Sequence, residues 1–384
     1  MDSWIFKFKE PMEKTVEQFI PLAKPNILPQ DIDAVVQVLK SGMLVQGKYV
    51  SELEKKISTF CKVNFTSVLS NGTATLHLAL IALGIKEGDE VIVPALSYIA
   101  TANVVELVGA TPIFVDTDIK TFNIDVLKIE EAITNKTKAI IPVHEFGLSC
   151  DIESVMKIAN KYNLFVIEDA ACALGALFNG KNVGNFGDFG SFSLHPRKAI
   201  SSGEGGLLTT NNKKYDEKIK ILRNHGTEII DGKIDFTEFG FNYRMTDFQA
   251  ALVVSQMDRL QDSIAYKNEL ADIYFNGIKS SKIKLPFIPD YTTHTWQTYH
   301  VIIDESINRD ELINQLKEKN IGVNYGAQCI PYMKVYQNKY KYNCEKLFPN
   351  ALKAYKQGLA LPIYDLLTKV QAHYISSILN NLIS

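Results

Sequence analysis

Ser67-Val-Leu-Ser-Asn-Gly-Thr-Ala-Thr-Leu-His-Leu-Ala-Leu-Ile-Ala-Leu83 reads as a short apolar strand, a tight turn and a helix in quick succession. The strand covers 67–69, Ser70-Asn-Gly72 makes the turn, and the helix runs over 73–83. The same unit then repeats: strand 90–93, helix 101–108, strand 111–115, helix 126–133, strand 139–143, helix 152–162 and strand 164–167. Strands that alternate with helices of about ten residues pair in parallel, with helices covering both faces of the sheet. Such sheets bind their ligands beyond the carboxyl ends of the strands. The residues that follow each strand are therefore the candidates for chemistry.

Upstream of this run, Ile32, Val35, Val36, Val38 and Leu39 give an amphipathic helix over 31–40, stopped by Ser41-Gly42, and a second helix covers 49–61. Downstream of Lys198 the pattern changes. The spacing predicts one long helix over 248–274 that joins two domains, short strands within 298–303, a helix over 310–319 and a final helix over 369–379. The chain has 384 residues, 46% of them hydrophobic, and single cores stop growing at about 250–300 residues. The expected division is a lead-in at 1–20, a large domain at 21–262 and a smaller α+β domain at 263–384. There is no internal repeat.

Composition excludes several classes. The formal net charge is −2 and no basic stripe is present, so nucleic acid is not an expected partner. No stretch approaches the roughly 18 apolar residues of a membrane span. Charges run through residues 1–24 (Asp2, Lys7, Lys9, Glu10, Glu13, Lys14), unlike the apolar core of a secretory signal. The five cysteines are scattered, without a C-x-x-C pair, which fits a reduced cytoplasmic protein. No metal site is expected, and no G-x-G-x-x-G follows an early strand, which disfavours a nicotinamide cofactor.

Two residues carry the chemical reading. Asp169 ends the apolar strand Leu164-Phe-Val-Ile-Glu-Asp169 and is followed by small residues. It can hold a protonated pyridine nitrogen, or simply cap the next helix. Lys198 lies in Ser191-Phe-Ser-Leu-His-Pro-Arg-Lys198, ahead of Gly203-Glu-Gly-Gly206. An amine there can form a Schiff base, where a lone loop lysine is otherwise a solvated charge. Together they suit pyridoxal phosphate, with partial burial beside a cationic ring making the lysine a usable base. Ser191 and Ser193 offer hydroxyls to a phosphate, and the glycines permit a tight hairpin. The Ser70–Thr75 turn can receive that phosphate on its N–H groups or can be a helix cap. Tyr98 can stack on a ring or pack in the core, and His195 can touch substrate or cap a turn.

These segments, with Ser41-Gly-Met-Leu-Val-Gln-Gly47, Gly88-Asp-Glu-Val-Ile-Val-Pro94, Glu168-Asp-Ala-Ala171, Arg223-Asn-His-Gly226 and Gly240-Phe-Asn-Tyr-Arg-Met245, resemble the DegT/DnrJ/EryC1/StrS sugar-nucleotide aminotransferases over about residues 20–380. The resemblance implies an α/β fold of the aspartate aminotransferase type (fold type I), with a mostly parallel central sheet in the large domain and a smaller α+β C-terminal domain. It places the Schiff-base lysine on Lys198, the pyridinium partner on Asp169, phosphate contacts on Gly72, Thr73, Ala74 and Ser193, and ring stacking on Tyr98. Cys172 stands where relatives often carry Gln or His beside the ring hydroxyl, and its thiol is a weak donor. Asn242 is implied to reach the neighbouring subunit's cofactor, giving a homodimer with shared sites. Glu204 lies in a segment implied to contact substrate, while for His195 the turn cap is the favoured reading. Residues 322–331 lack the histidine common in the corresponding stretch of relatives, and the family's dehydratases carry histidine in place of the lysine.

The implied reaction moves an amino group from L-glutamate, through pyridoxamine phosphate as intermediate, to a nucleotide-linked keto-deoxyhexose for O-antigen or other surface-glycan amino sugars. The form His195-Pro-Arg-Lys198 looks more like members acting at C4 of a 4-keto-6-deoxy sugar. A C3 aminotransferase and a non-catalytic cofactor-binding regulator are the alternatives.

Overall fold

The computed structural model describes residues 18–383; the expected lead-in at 1–20 falls almost wholly outside them. The repeating unit builds a seven-stranded sheet. Its strands run, edge to edge, Phe65–Leu69, Gly206–Thr210, Phe189–Ser193, Phe165–Asp169, Thr137–Ile140, Glu90–Pro94 and Thr111–Val115. All neighbours are parallel except Gly206–Thr210, which is antiparallel to both strands beside it. The mostly parallel α/β sheet expected from the sequence is thus present.

Period-two alternation explains how both faces are covered. Val91, Val93 and Ile167 pack with Leu76, Leu78 and Leu80 of the helix Gly72–Ala82. Their neighbours Ile92, Ile140 and Val166 pack on the other face with Ile152 and Val155 of the helix Ile152–Tyr162. Each such aliphatic side chain, removed from water, contributes about 1.5–3 kcal/mol. Near the sheet's other edge, Val68 and Leu207 pack with Val50, Leu53 and Ile57 of the helix Lys48–Cys61.

Two expected helices differ. Residues 126–133 form two 3₁₀ turns, Val126–Lys128 and Glu130–Ala132. Asp125 accepts from the Leu127 N–H at 3.1 Å, and the Thr134 N–H donates to the Thr137 hydroxyl at 2.9 Å. These local bonds compete with a continuous helical ladder. The long helix is broken into Asp247–Met257 and Leu260–Gly277. At the break the Arg259 guanidinium binds Asp31 and donates at 3.0 Å to the Asn26 carbonyl.

Beyond the break, Leu270, Ala271 and Tyr274 pack with a three-stranded antiparallel sheet, Ile283–Lys284, Tyr299–Ile303 and Gly358–Leu361, and with the helix Lys369–Ile383. Ile20 joins this cluster. Residues around Ala327–Cys329 pack instead against the core of the large sheet, and Gln328–Cys329 pairs with Leu96–Ser97. That pairing carries the C-terminal part of the chain across the carboxyl ends of the large sheet's strands.

Candidate active site

At those carboxyl ends lies a cavity of about 660 Å³, within the range of small-molecule sites. The large sheet contributes Gly72, Thr73, Tyr98, Thr101, Glu145, Asp169, Cys172, Ser193, His195, Lys198 and Glu204 to its wall, and the C-terminal part adds Gln297, Thr298 and Gly326 to Gln328.

Asp169 ends a central strand and is 4% exposed. Its Oδ2 accepts from the Thr101 hydroxyl at 2.8 Å and its Oδ1 from the Ala171 N–H at 3.2 Å. Burial pushes the carboxyl above its ordinary value, while these two bonds and the charge of Lys198 pull it back. A buried acid in this position is completed by a cation. Beside it, the fully buried Glu168 accepts from the N–H groups of Gly184, Phe186 and Gly187 at 2.8, 2.7 and 2.9 Å, and from His144 Nε2 at 3.0 Å. His144 Nδ1 accepts from the Cys150 N–H at 3.1 Å, which leaves the proton on Nε2. Glu168 is therefore an anchor for the loop beside the strand.

The loop between Ser193 and Gly206 carries Lys198. It is held by Leu194 N–H to Gly205 O at 2.8 Å, and by Gln256, whose amide bonds both the N–H and the C=O of Ser201 at 3.0 and 2.8 Å. It is a wide loop across two antiparallel strands, rather than the tight hairpin expected at 203–206. Half-buried Lys198 donates from Nζ to Cys172 Sγ at 3.0 Å. The Cys172 thiol is pushed up by burial and pulled down by the lysine's charge.

The phosphate turn is built by close approach. A Cβ at Gly72 would sit 3.0 Å from Ser193 Cβ, and one at Gly206 would sit 2.4 Å from the Asn71 carbonyl oxygen. Glycine at both positions lets the strand end lie against the start of the helix Gly72–Ala82. The helix cap is Asn71, whose Oδ1 accepts from the Ala74 N–H at 2.8 Å. Gly72 and Thr73 line the cavity, whereas Ala74 is 3% exposed and lies behind them. Ser191 does not serve as the expected phosphate contact. It is fully buried, and its hydroxyl is bonded at 2.6 Å to Thr75.

Tyr98 is 66% exposed at the cavity mouth, so it is not core packing. His195 both lines the cavity and caps its turn, Nδ1 accepting from the Arg197 N–H at 3.3 Å. Exposed Glu204 stands at the rim. Asn242 is exposed and outside this wall. The residues that sequence reasoning passed over are Thr101 and Glu145; the 326–328 segment lies within the 322–331 stretch noted for its missing histidine, without residues assigned to the cavity. Glu145 follows a predicted strand in Pro142-Val-His-Glu-Phe-Gly147, which is the available signal for it; Thr101 and 326–328 gain their place only through tertiary packing.

An amine, an uncompensated buried acid, a helix N-terminus with an adjacent hydroxyl and an open aromatic face suit pyridoxal phosphate. Comparison with known proteins agrees. A family model described as the DegT/DnrJ/EryC1/StrS aminotransferase family matches residues 25–380. The GDP-perosamine synthase of Escherichia coli O157:H7 is 37% identical, over 96% of this chain and 99% of that protein. The dTDP-3-amino-3,6-dideoxy-alpha-D-galactopyranose transaminase of Aneurinibacillus thermoaerophilus is also 37% identical, covering 90% and 93%. Among solved structures, Spr1654 of Streptococcus pneumoniae in its PLP form superposes with a TM-score of 0.90 at 29% identity, covering 95% of this chain and 98% of that one. Geometry and kinship together place the chain in the DegT/DnrJ/EryC1/StrS aminotransferase family, as a pyridoxal-phosphate-dependent transaminase.

Proposed function

We propose that this transaminase carries the amino group of L-glutamate to a nucleotide-linked keto-deoxyhexose, at C4 of a 4-keto-6-deoxy sugar, for surface-glycan amino sugars. The observation that carries the proposal is the placement of Lys198 and Asp169 in one cavity large enough for cofactor and sugar. When bound, pyridoxal phosphate supplies an aldehyde for the amine and an electron sink for the donor's Cα carbanion. The chain's residues do the rest. Asp169 would hold the ring nitrogen protonated, Gly72, Thr73 and Ser193 would hold the phosphate, and Tyr98 would offer its ring to the cofactor's. Lys198 Nζ takes the proton from Cα of the donor and returns one in the second half of the cycle. Cys172 Sγ, at 3.0 Å, keeps that amine inside the cavity.

Preference for C4 rests on the His195-Pro-Arg-Lys198 form. Two 37% identical relatives, one named a dTDP-3-amino transaminase and the other a UDP-4-amino-4-deoxy-L-arabinose–oxoglutarate aminotransferase, point in different directions. A homodimer is supported by Asn242, exposed away from its own cavity, and by apolar side chains on the hairpin Thr227–Ile230 and Lys233–Phe236. Ile229, Ile234 and Phe236 are exposed there, with Phe239 beside them. Such a patch is unusual on a free surface. Turnover assays with glutamate and UDP-, dTDP- and GDP-linked 4-keto and 3-keto sugars test the reading. Amination of a 4-keto sugar is expected. Activity confined to 3-keto sugars contradicts the C4 assignment, and a bound cofactor whose absorbance glutamate leaves unchanged favours the regulator.

A further inference from the structure

Glu145 is built into the cavity wall with unusual care. It opens the turn Glu145–Gly147, whose next residue, Phe146, holds a left-handed φ of 57°, a conformation that costs energy in a non-glycine residue. The turn is clamped from both sides. The Glu145 N–H donates to Asn123 Oδ1 at 2.8 Å, and Phe146 and Gly147 accept at their carbonyls from the N–H groups of Thr298 and Thr295 at 3.3 and 3.0 Å. The Phe146 ring stacks on His300 at 4.4 Å and meets Phe122 edge-on at 5.6 Å. The result is a carboxyl 5% exposed, facing the same cavity as Asp169, Cys172 and Lys198.

Charge counting decides its state. Near Glu145 in the cavity are the Asp169 carboxyl, the Lys198 amine and the Cys172 thiol, while hydrogen bonds from Ser97 and from the Phe146 N–H, like the lysine's charge, pull its carboxyl down against burial. Behind the turn lie His294, His300 and Lys120. Burial pushes both histidines down to about 3, so they carry no charge near neutrality. Two buried carboxyls therefore share the cavity with one half-buried amine; the Arg197 guanidinium also lines it but is exposed, where water and salt screen its charge. On the reading under Proposed function, that amine is consumed by its bond to the cofactor aldehyde, and Asp169 is matched by the ring nitrogen. Glu145 is then left without a buried counter-charge, and a buried carboxylate without one takes up a proton.

We infer that Glu145 stands in the working site as a neutral carboxylic acid and presents its O–H to the reacting centre, supplying the strong hydrogen-bond donor that the Cys172 thiol cannot be. Burial and the nearby Asp169 charge already push Glu145 up to about 8 while Lys198 is pulling it down, so losing the ammonium moves it further in the same direction. An acid kept neutral so that it can donate is an established catalytic device. The residue reads as a mere polar lining until Glu145 and the departure at Cys172 are seen to share one cavity.

The test uses the cofactor-loaded enzyme grown with ¹³C-labelled glutamate. Its infrared spectrum at neutral pH is expected to show a carboxylic-acid carbonyl band that disappears only at about pH 8 or above, and that is missing in E145Q. The bound cofactor's absorbance against pH is expected to shift in E145L, which has no donor, and to follow wild type near neutrality in E145Q, whose amide still donates. Normal cofactor uptake with no such band, or an E145L profile superimposable on wild type, overturns the inference alone. Failure of the wild-type chain to take up cofactor overturns the site assignment and this inference with it. The band is read in wild type, so the test survives a variant that does not fold.

Discussion

Asp169 was legible in the sequence because it ends a strand, where this class of sheet binds, and Lys198 because serines and glycines flank it. Their surroundings were less so. Thr101 and Glu145 lie far from Asp169 in sequence, and only the sheet order brings them to it. Substituting Lys198 by alanine is expected to lower transamination by at least about a hundredfold to ten-thousandfold, with far-ultraviolet circular dichroism unchanged; near wild-type turnover would falsify the assignment. Glu145 makes stability depend on pH. Its carboxyl sits at about 8 in the folded chain against an ordinary 4.5, so between these values the native state holds a proton that the unfolded chain has released. The stabilisation is full below about pH 4.5 and is lost as pH rises towards 8. The melting temperature of wild type is therefore expected to fall relative to that of E145Q between about pH 5 and pH 8. Parallel melting profiles would contradict a protonated Glu145.

The elements repeat the lesson at larger scale. Strands such as Glu90–Pro94 and helices such as Ile152–Tyr162 were readable because their apolar residues alternate or recur with one period, and burial acts on that period directly. The helix expected over 126–133 failed because Asp125 and Thr137 offer side-chain partners to the backbone. The break at Asp258 and Arg259 depends on Asp31, more than two hundred residues away, and no local pattern announces it. The phosphate turn yields a prediction of its own. Gly206→Ala would drive a Cβ into the Asn71 carbonyl, forcing the strand Gly206–Thr210 off the helix start. The expected outcome is a loss of about 1–3 kcal/mol of stability together with weaker cofactor binding, measured by denaturant unfolding and by cofactor titration. Unchanged affinity would mean that this approach does not shape the phosphate site.

For the whole molecule, the site is assembled from segments far apart in the chain. The large sheet supplies Asp169 and Lys198, and the pairing of Gln328–Cys329 with Leu96–Ser97 brings the C-terminal part over the opening. The homodimer proposed from the exposed apolar hairpin and Asn242 carries its own test. Introducing aspartate at both Ile234 and Phe239 is expected to shift the protein from dimer to monomer in light scattering and to lower activity, because each cavity would lose its neighbour's Asn242. A monomeric wild-type enzyme with full activity would contradict shared sites. The central claim, one amine joined to the cofactor beside one buried acid, is tested most directly by reducing the cofactor-loaded enzyme with borohydride and sequencing its peptides by mass spectrometry. The account expects the reduced cofactor on Lys198 and on no other lysine; a label elsewhere, or none, would contradict it.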